Sequence, residues 1–384
     1  MFAAGNLGKG DLNVYRMFVE TALNGVRPGG CAAQLVPEGF YNGANAAAIR
    51  SAIFERFRLD CLIGFENSRG VRFPSVDTRA KFCLYVAWRD RSTESFQTAF
   101  RVNSEQRLAD LAGGQQFTLP VSLVREFSPE AVAVMEFAAQ SEIDVCRKMY
   151  SRYPKFGQKL VDVPNRVYMA EVHMGNDRDL FTENGDGLPD FEGRMVHLYD
   201  YRAKGYSSGR GRVWPDLPFG NPRKAILPQW RIPKDRIPDK LIGRINCYRV
   251  CFSNVGSPTN ERTLVAALVP PDTICGDTVP TIVFEGGEPA DMLLWLGVAN
   301  SVTMDFVVRK KVALHMTYTI MDSLPFPRDW RQTPGADAII ARGRGKTETA
   351  DFPGSRRAHL RSCSRQRSGC RLPLNNSDPF RSAA

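Results

Sequence analysis

Helical and strand spacings alternate along residues 11–100, and no other feature constrains the fold of this chain as strongly. Val14, Phe18, Val19 and Leu23 recur at helical spacing behind Asp11, a plausible N-cap, and Arg27-Pro28-Gly29-Gly30 stops that helix. Cys31–Pro37 then reads as a short buried strand, 46–57 as a second helix helped by its alanines, and 61–65 and 82–88 as two further strands. Helices set between buried strands predict an open α/β sheet covered on both faces.

Beyond residue 100 the pattern loosens. Residues 129–150 are expected to form one amphipathic helix, with Val132, Val134, Met135, Phe137 and Ile143 as its apolar positions. The turn-rich Asn184-Gly185-Asp186-Gly187 closes that section, so 101–190 reads as a helical bridge between domains. Residues 191–335 form a second unit rich in Pro, Arg and aromatics. Strands are expected there at 244–252, 264–269 and 281–284, a helix at 290–309, and an end at Leu324-Pro325-Phe326-Pro327. The remainder, 336–384, reads as a basic tail unlikely to fold by itself.

Charge narrows the function less than its total suggests. The formal net charge is +10, but residues 342–384 hold ten Arg/Lys against three Asp/Glu, leaving only +3 on the other 341 residues. A surface for nucleic acid in the body of the protein must therefore come from where charges are placed. The tail is either a basic DNA-binding arm or a segment whose ancestral sequence was lost, for example by a frame change after Ala341. The nine cysteines include no CxxC pair, and Cys247 and Cys251 lack a second ligand pair, so buried thiols in a reducing cytoplasm are expected, and no metal site. No run approaches the ~18 apolar residues of a membrane span, and MFAAGNLGKG lacks a signal pattern. The glycines of that segment lack phosphate-loop spacing.

Two places combine aromatics with polar or basic residues. Phe73-Pro74 stands in a polar loop ahead of Asp77-Thr78-Arg79 and Lys81, where a loop Phe either packs into the core or offers a ring to a ligand. Arg79 and Lys81 are either phosphate contacts or solvated strand-edge charges. In the second unit, Arg202, Lys204, Arg210, Arg212 and Trp214 concentrate in a Gly/Ser-rich loop. Such a loop either follows a nucleic-acid backbone or is simply solvated.

The order of these blocks resembles adenine-specific (N6) DNA methyltransferases of the large restriction-modification and phage-defence (type IIG-like) kind. The carrying residues are Asp11 to Glu20 with Arg27-Pro28-Gly29-Gly30, Leu35-Val36-Pro37-Glu38-Gly39-Phe40, the stretch from Leu62 to Trp88, Phe191 to Arg202, Ser257 to Thr263, and Gly297 to Arg309. The resemblance implies the distal half of a Rossmann-like methyltransferase sheet over 1–100, followed by a mixed α+β target-recognition domain over 191–335. It implies that Phe73, with Pro74, stacks on a flipped adenine, as an enzyme acting on a base inside a duplex requires. It places Asp11 and Tyr15 beside the pocket for S-adenosylmethionine, and it implies double-stranded DNA as partner.

The sequence departs from the family in one large respect. Neither the Asn/Asp/Ser-Pro-Pro-aromatic tetrapeptide that engages the adenine amine nor the Gly-rich donor-binding turn occurs in it. Asn221-Pro222-Arg223 and Asp216-Leu217-Pro218-Phe219 are no substitutes, since both lie in the second unit. The expectation is an incomplete enzyme with an exposed strand edge where a missing half belongs, supplied by a separate chain or an upstream segment. The alternatives are a non-catalytic DNA-specificity module for a separate methylase, or a remnant without function.

Overall fold

The computed structural model describes residues 13–67, 70, 72–78, 80–183, 185–208, 213–219, 221 and 223–348. Asp11, Arg79, Arg210, Arg212 and the tail beyond 348 lie outside the described residues. The chain has an α/β fold and divides into two compact units between Tyr153 and Pro154. The expected bridge over 101–190 is thus not one body, because its first half packs within the N-terminal unit.

In that unit the first helix is Val14–Gly25, with Asn13 as its N-cap accepting from the Tyr15 amide at 3.4 Å. The strands are β1 (Cys31–Pro37), β2 (Arg58–Glu66), β3 (Lys81–Trp88), β4 (Ser95–Val102) and β5 (Phe117–Pro120), in sheet order β1-β3-β2-β4-β5. β3 runs antiparallel to both β1 and β2, while β4 is parallel to β2. The register sets Pro37 opposite Phe82, Glu66 opposite Lys81, and Phe65 opposite Val102. The carboxyl ends of β1, β2 and β4 therefore gather at one end of the sheet, where an open α/β sheet binds ligands.

β1 is an edge strand. Its outer side has no backbone partner among the described residues, and it alternates buried Ala32 and Val36 with an exposed Leu35. It is not the fully buried strand that its apolar run predicts.

The expected helix over 129–150 is shorter, Gln140–Arg152. Val132, Val134, Met135 and Phe137 are buried in irregular chain ahead of it. The cause is Arg50 on the helix Ala47–Arg56. Its guanidinium donates to the carbonyls of Val132 (2.8 Å), Ala131 (2.5 Å), Phe40 (2.7 Å) and Gly43 (2.7 Å). These bonds hold Val132 at φ 49°, a left-handed conformation unfavourable for a β-branched residue.

The second unit is mixed α+β. One antiparallel sheet has the order β10 (Ala266–Val269), β9 (Arg249–Phe252), β12 (Thr281–Glu285), β6 (Asn165–Met169). A second joins β11 (Ile274–Cys275), β7 (Leu188–Phe191) and β8 (Arg231–Ile232). Fully buried Glu171 ties the two together. It accepts from Arg249 Nε at 2.7 Å and Thr281 Oγ1 at 2.9 Å on one sheet, and from the Cys275 amide at 2.9 Å on the other.

Three sequence expectations are corrected here. The strand expected from 244 begins only at Arg249, because Asp239–Ile245 is helical and points Arg244 at Thr281. The helix over 290–309 is two, Pro289–Ala299 and Val302–Val308, bent by 67°. Asn300 leaves the helix to exchange hydrogen bonds with the Ala266 backbone, and Ser301 caps the second helix. Finally, the start of the supposed tail is the helix Ala336–Glu348, whose Ala336 and Ile340 pack with Leu293 and Leu294. No single described helix is long and apolar enough to cross a membrane; the bent pair passes that test together, by length and composition only.

Candidate nucleic-acid interface

The loop between β2 and β3 is built around one asparagine. Asn67, almost fully buried, donates to the carbonyls of Phe73 (3.0 Å) and Val76 (3.2 Å) and accepts from the Phe73 amide (3.0 Å). The Val76 amide closes on the Phe73 carbonyl at 3.1 Å, making a β-turn with Pro74 at its second position, where proline's fixed φ fits. Phe73 is thereby held rigidly at the carboxyl end of the sheet.

Its ring belongs to a short aromatic ladder. Phe73 meets Phe82 edge-on at 4.9 Å, Phe82 stacks on Phe65 at 5.2 Å, and the Arg72 guanidinium lies 5.5 Å over Phe65. Phe73 stays 37% exposed, so the ring is anchored on one side and open on another.

Lys81 does not offer its charge to a ligand. Its ammonium sits 2.9 Å from both oxygens of Glu136, which also accepts from Tyr41 at 2.8 Å. Beside this cluster the Glu38 carboxyl is pushed up, mainly by burial, with Lys81 opposing. Tyr15 reaches the same end: its hydroxyl lies 2.9 Å from where a Cβ on Gly39 would sit, and burial raises its pKa. The neighbouring cavity among Phe40, Tyr41, Arg50 and Val134 measures about 10 Å³. That is room for about one water. A nucleoside-sized methyl donor does not fit in that cavity.

In the second unit, residues 203–208 and 213–217 run back along each other as the two arms of a hairpin. The Leu217 amide bonds the Ala203 carbonyl at 2.8 Å, and the Gly205 amide bonds Pro215 at 3.2 Å. Trp214 lies between the ring of Tyr206 (5.5 Å) and the guanidinium of Arg194 (5.2 Å). Lys204 is half-exposed and paired with Asp216 at 3.2 Å. Arg202, expected on DNA, is only 3% exposed. It lies 4.9 Å over Tyr201 and donates to the Lys224 carbonyl at 2.6 Å, so it braces the fold and does not face solvent.

Sequence reasoning passed over Asn67, Glu136 and Arg194. An Asn directly after an apolar strand and ahead of a Phe-Pro turn is the one signal that pointed to the first. The partnership of Lys81 with Glu136 spans 55 residues and has no local signature.

No family model and no curated protein matches the sequence. The solved structures it is similar to are restriction-modification enzymes. The ATP-dependent type ISP enzyme LlaBIII bound to DNA is 9% identical, with 87% of this chain and 26% of that one covered, at a TM-score of 0.43. The type IIL enzyme MmeI in complex with DNA is 9% identical over 89% and 45%, at 0.41. A modification subunit of a putative type I restriction enzyme from Vibrio vulnificus YJ016 is 13% identical over 32% and 30%, at 0.27. The chain spans under half the length of each of these proteins. Its chemistry is therefore read from its own residues.

Proposed function

We propose that this chain is the base-stacking and DNA-engaging part of a site-specific adenine-N6 DNA methyltransferase of a restriction-modification or phage-defence system. The observation that carries this reading is the Phe73 loop: a partly exposed ring, fixed by Asn67 and Pro74 and backed by Phe82 and Phe65. Extruding an adenine costs a few kcal/mol, and stacking on an aromatic ring returns about 1–3 kcal/mol. Phe73 holds the extruded base, and Pro74 keeps the loop from collapsing into the space it occupies. Lys81 acts through Glu136 as a brace for that end of the sheet.

S-adenosylmethionine, the methyl source, is bound by polypeptide outside this sequence. The free edge of β1 supports a strand-adding partner, which in this reading is the donor-binding half. Exposed Leu35 on that strand, with Val14 and Phe18 exposed on the helix bonded to it through Gln34, gives the partner an apolar surface to cover.

The reading is tested by methyl transfer from labelled S-adenosylmethionine to unmethylated genomic DNA, with the purified chain alone and with the native upstream coding segment. Transfer only in the second case is expected. Transfer by the chain alone would show that the donor site is complete within it. Silence in both, with sequence-preferring DNA binding retained, would favour a specificity module.

A further inference from the structure

An open cleft of about 460 Å³ in the second unit brings together residues from two segments that are far apart in sequence. One wall is the hairpin with Lys204 and Trp214, joined by Arg194. The other is the turn carrying Asn260, Arg262 and Thr263. The lining contains three cations and no carboxylate, over a floor that includes Val196, Val255 and Val265.

The second wall is rigid. The amides of Thr263 (2.7 Å) and Leu264 (3.1 Å) both donate to buried Asp305, and Arg309 binds the Pro258 carbonyl at 2.8 Å and the Glu261 carbonyl at 2.5 Å. Arg262 is fixed through the Asn300 carbonyl at 2.6 Å, with its Nε 3.7 Å from the Asp305 carboxylate behind it. The first wall presents donors that are held only loosely. Arg194 lies over Trp214 at 5.2 Å with its Nε 3.6 Å from Glu192, and its terminal nitrogens make no hydrogen bond among the described residues. The Lys204–Asp216 pair is exposed on both sides and is therefore weak. Asn260 is exposed, and its side-chain amide has no partner among the described residues, while its backbone amide donates to the Ser257 carbonyl at 3.1 Å.

We infer that this cleft holds one sugar-phosphate unit of a DNA strand, with the phosphate between Arg194, Lys204 and Arg262, Asn260 donating to it, and the deoxyribose against the valine floor. A guanidinium held over an indole and a second one pinned opposite are suited to bind a phosphate from two sides. The volume suits one nucleotide unit, within the usual ~300–1,000 Å³ of small-ligand sites. The inference rests on the proposal that DNA is the partner, and it assigns Arg194, Asn260 and Arg262 to contact with it.

Fluorescence anisotropy with a labelled duplex several turns long, titrated with the full chain over a series of NaCl concentrations, tests it. Each phosphate contact adds about 0.9 to the slope of log affinity against log salt. The double variant R194Q/K204Q is expected to bind about tenfold more weakly at moderate salt and to lose about 1–2 from the slope, with an unchanged melting temperature. K240Q, removing an exposed charge elsewhere in the unit, controls for net charge and is expected to keep the slope within 0.5 or so of wild type. Wild-type affinity and slope in the double variant would overturn the cleft assignment while leaving the DNA reading intact. No salt-dependent binding by the wild-type chain would overturn both. Displacement of duplex by millimolar inorganic phosphate at matched ionic strength, with the double variant still binding DNA normally, would make the cleft a free-phosphate site and overturn the assignment.

Discussion

The Phe73 loop and the Trp214 hairpin each combine aromatic rings with cations, and they deploy them in opposite ways. Beside the loop, at the start of β3, the cation is consumed: Lys81 is clasped by Glu136, while the Phe73 ring stays partly exposed. In the hairpin the ring is consumed: Trp214 is covered by Tyr206 and Arg194, while Arg194 and Lys204 keep donors toward solvent. The first arrangement suits stacking on a base, and the second suits a phosphate. A count of aromatic and basic residues would score the two alike. What separates them is which group is already partnered inside the fold.

The strongest way to break this comparison is to remove the frame under one side of it. Arg50→Met removes the guanidinium donor from the buried carbonyls of Val132, Ala131 and Phe40 and lets Val132 relax from its left-handed conformation. A loss of about 3 kcal/mol or more is expected in denaturant unfolding of the N-terminal unit. An unchanged midpoint would mean that the buried guanidinium does not hold the 129–139 segment.

Arg202→Met sharpens the other side. Because Arg202 is buried on Tyr201 and the Lys224 carbonyl, the variant should lose about 1–3 kcal/mol of stability. Its salt slope for DNA, measured at a temperature where it stays folded, should remain that of wild type. A reduced slope with full stability would return Arg202 to the interface.

A smaller effect is expected from Asp190→Asn. Burial, with Glu192, Glu171 and Asp277 nearby, raises the Asp190 pKa well above the ordinary value of 3.8, and neither carboxyl oxygen has a partner among the described residues. A carboxyl that keeps its proton when folded and loses it when unfolded makes the protein less stable as pH rises through the ordinary carboxylate range. Below that range the linkage costs nothing. The stability of D190N relative to wild type should therefore increase from pH 4 towards pH 7. A constant difference between the two across that range would contradict it.

Much of this was legible in the sequence where one local signal decided the outcome. β1 was bounded by Gly30 and Pro37, and β3 by the polar loop before it and the Arg89-Asp90 turn after it, so their apolar runs sufficed. Phe73-Pro74 announced a turn with a ring on it. The failures were long-range. The 129–150 pattern has helical spacing, but Arg50, some 80 residues earlier, captures its carbonyls first. Asn300 interrupts 290–309 because Ala266 offers both of its backbone groups. Arg202 and Lys204 look equivalent in a basic loop, yet one faces inward and one outward. Arg194, Asn260 and Arg262 lay in segments singled out for other reasons, and only the fold places them around one cleft.

The most direct measurement of the central claim compares Phe73→Ala and Phe73→Trp in the chain expressed with its native upstream coding segment, the form for which methyl transfer is proposed. Methyl transfer per bound DNA should fall about 10- to 100-fold in F73A, the kinetic equivalent of about 1–3 kcal/mol of stacking, and largely persist in F73W. DNA affinity should hold in both. An F73A enzyme that transfers methyl groups at the wild-type rate would contradict the account.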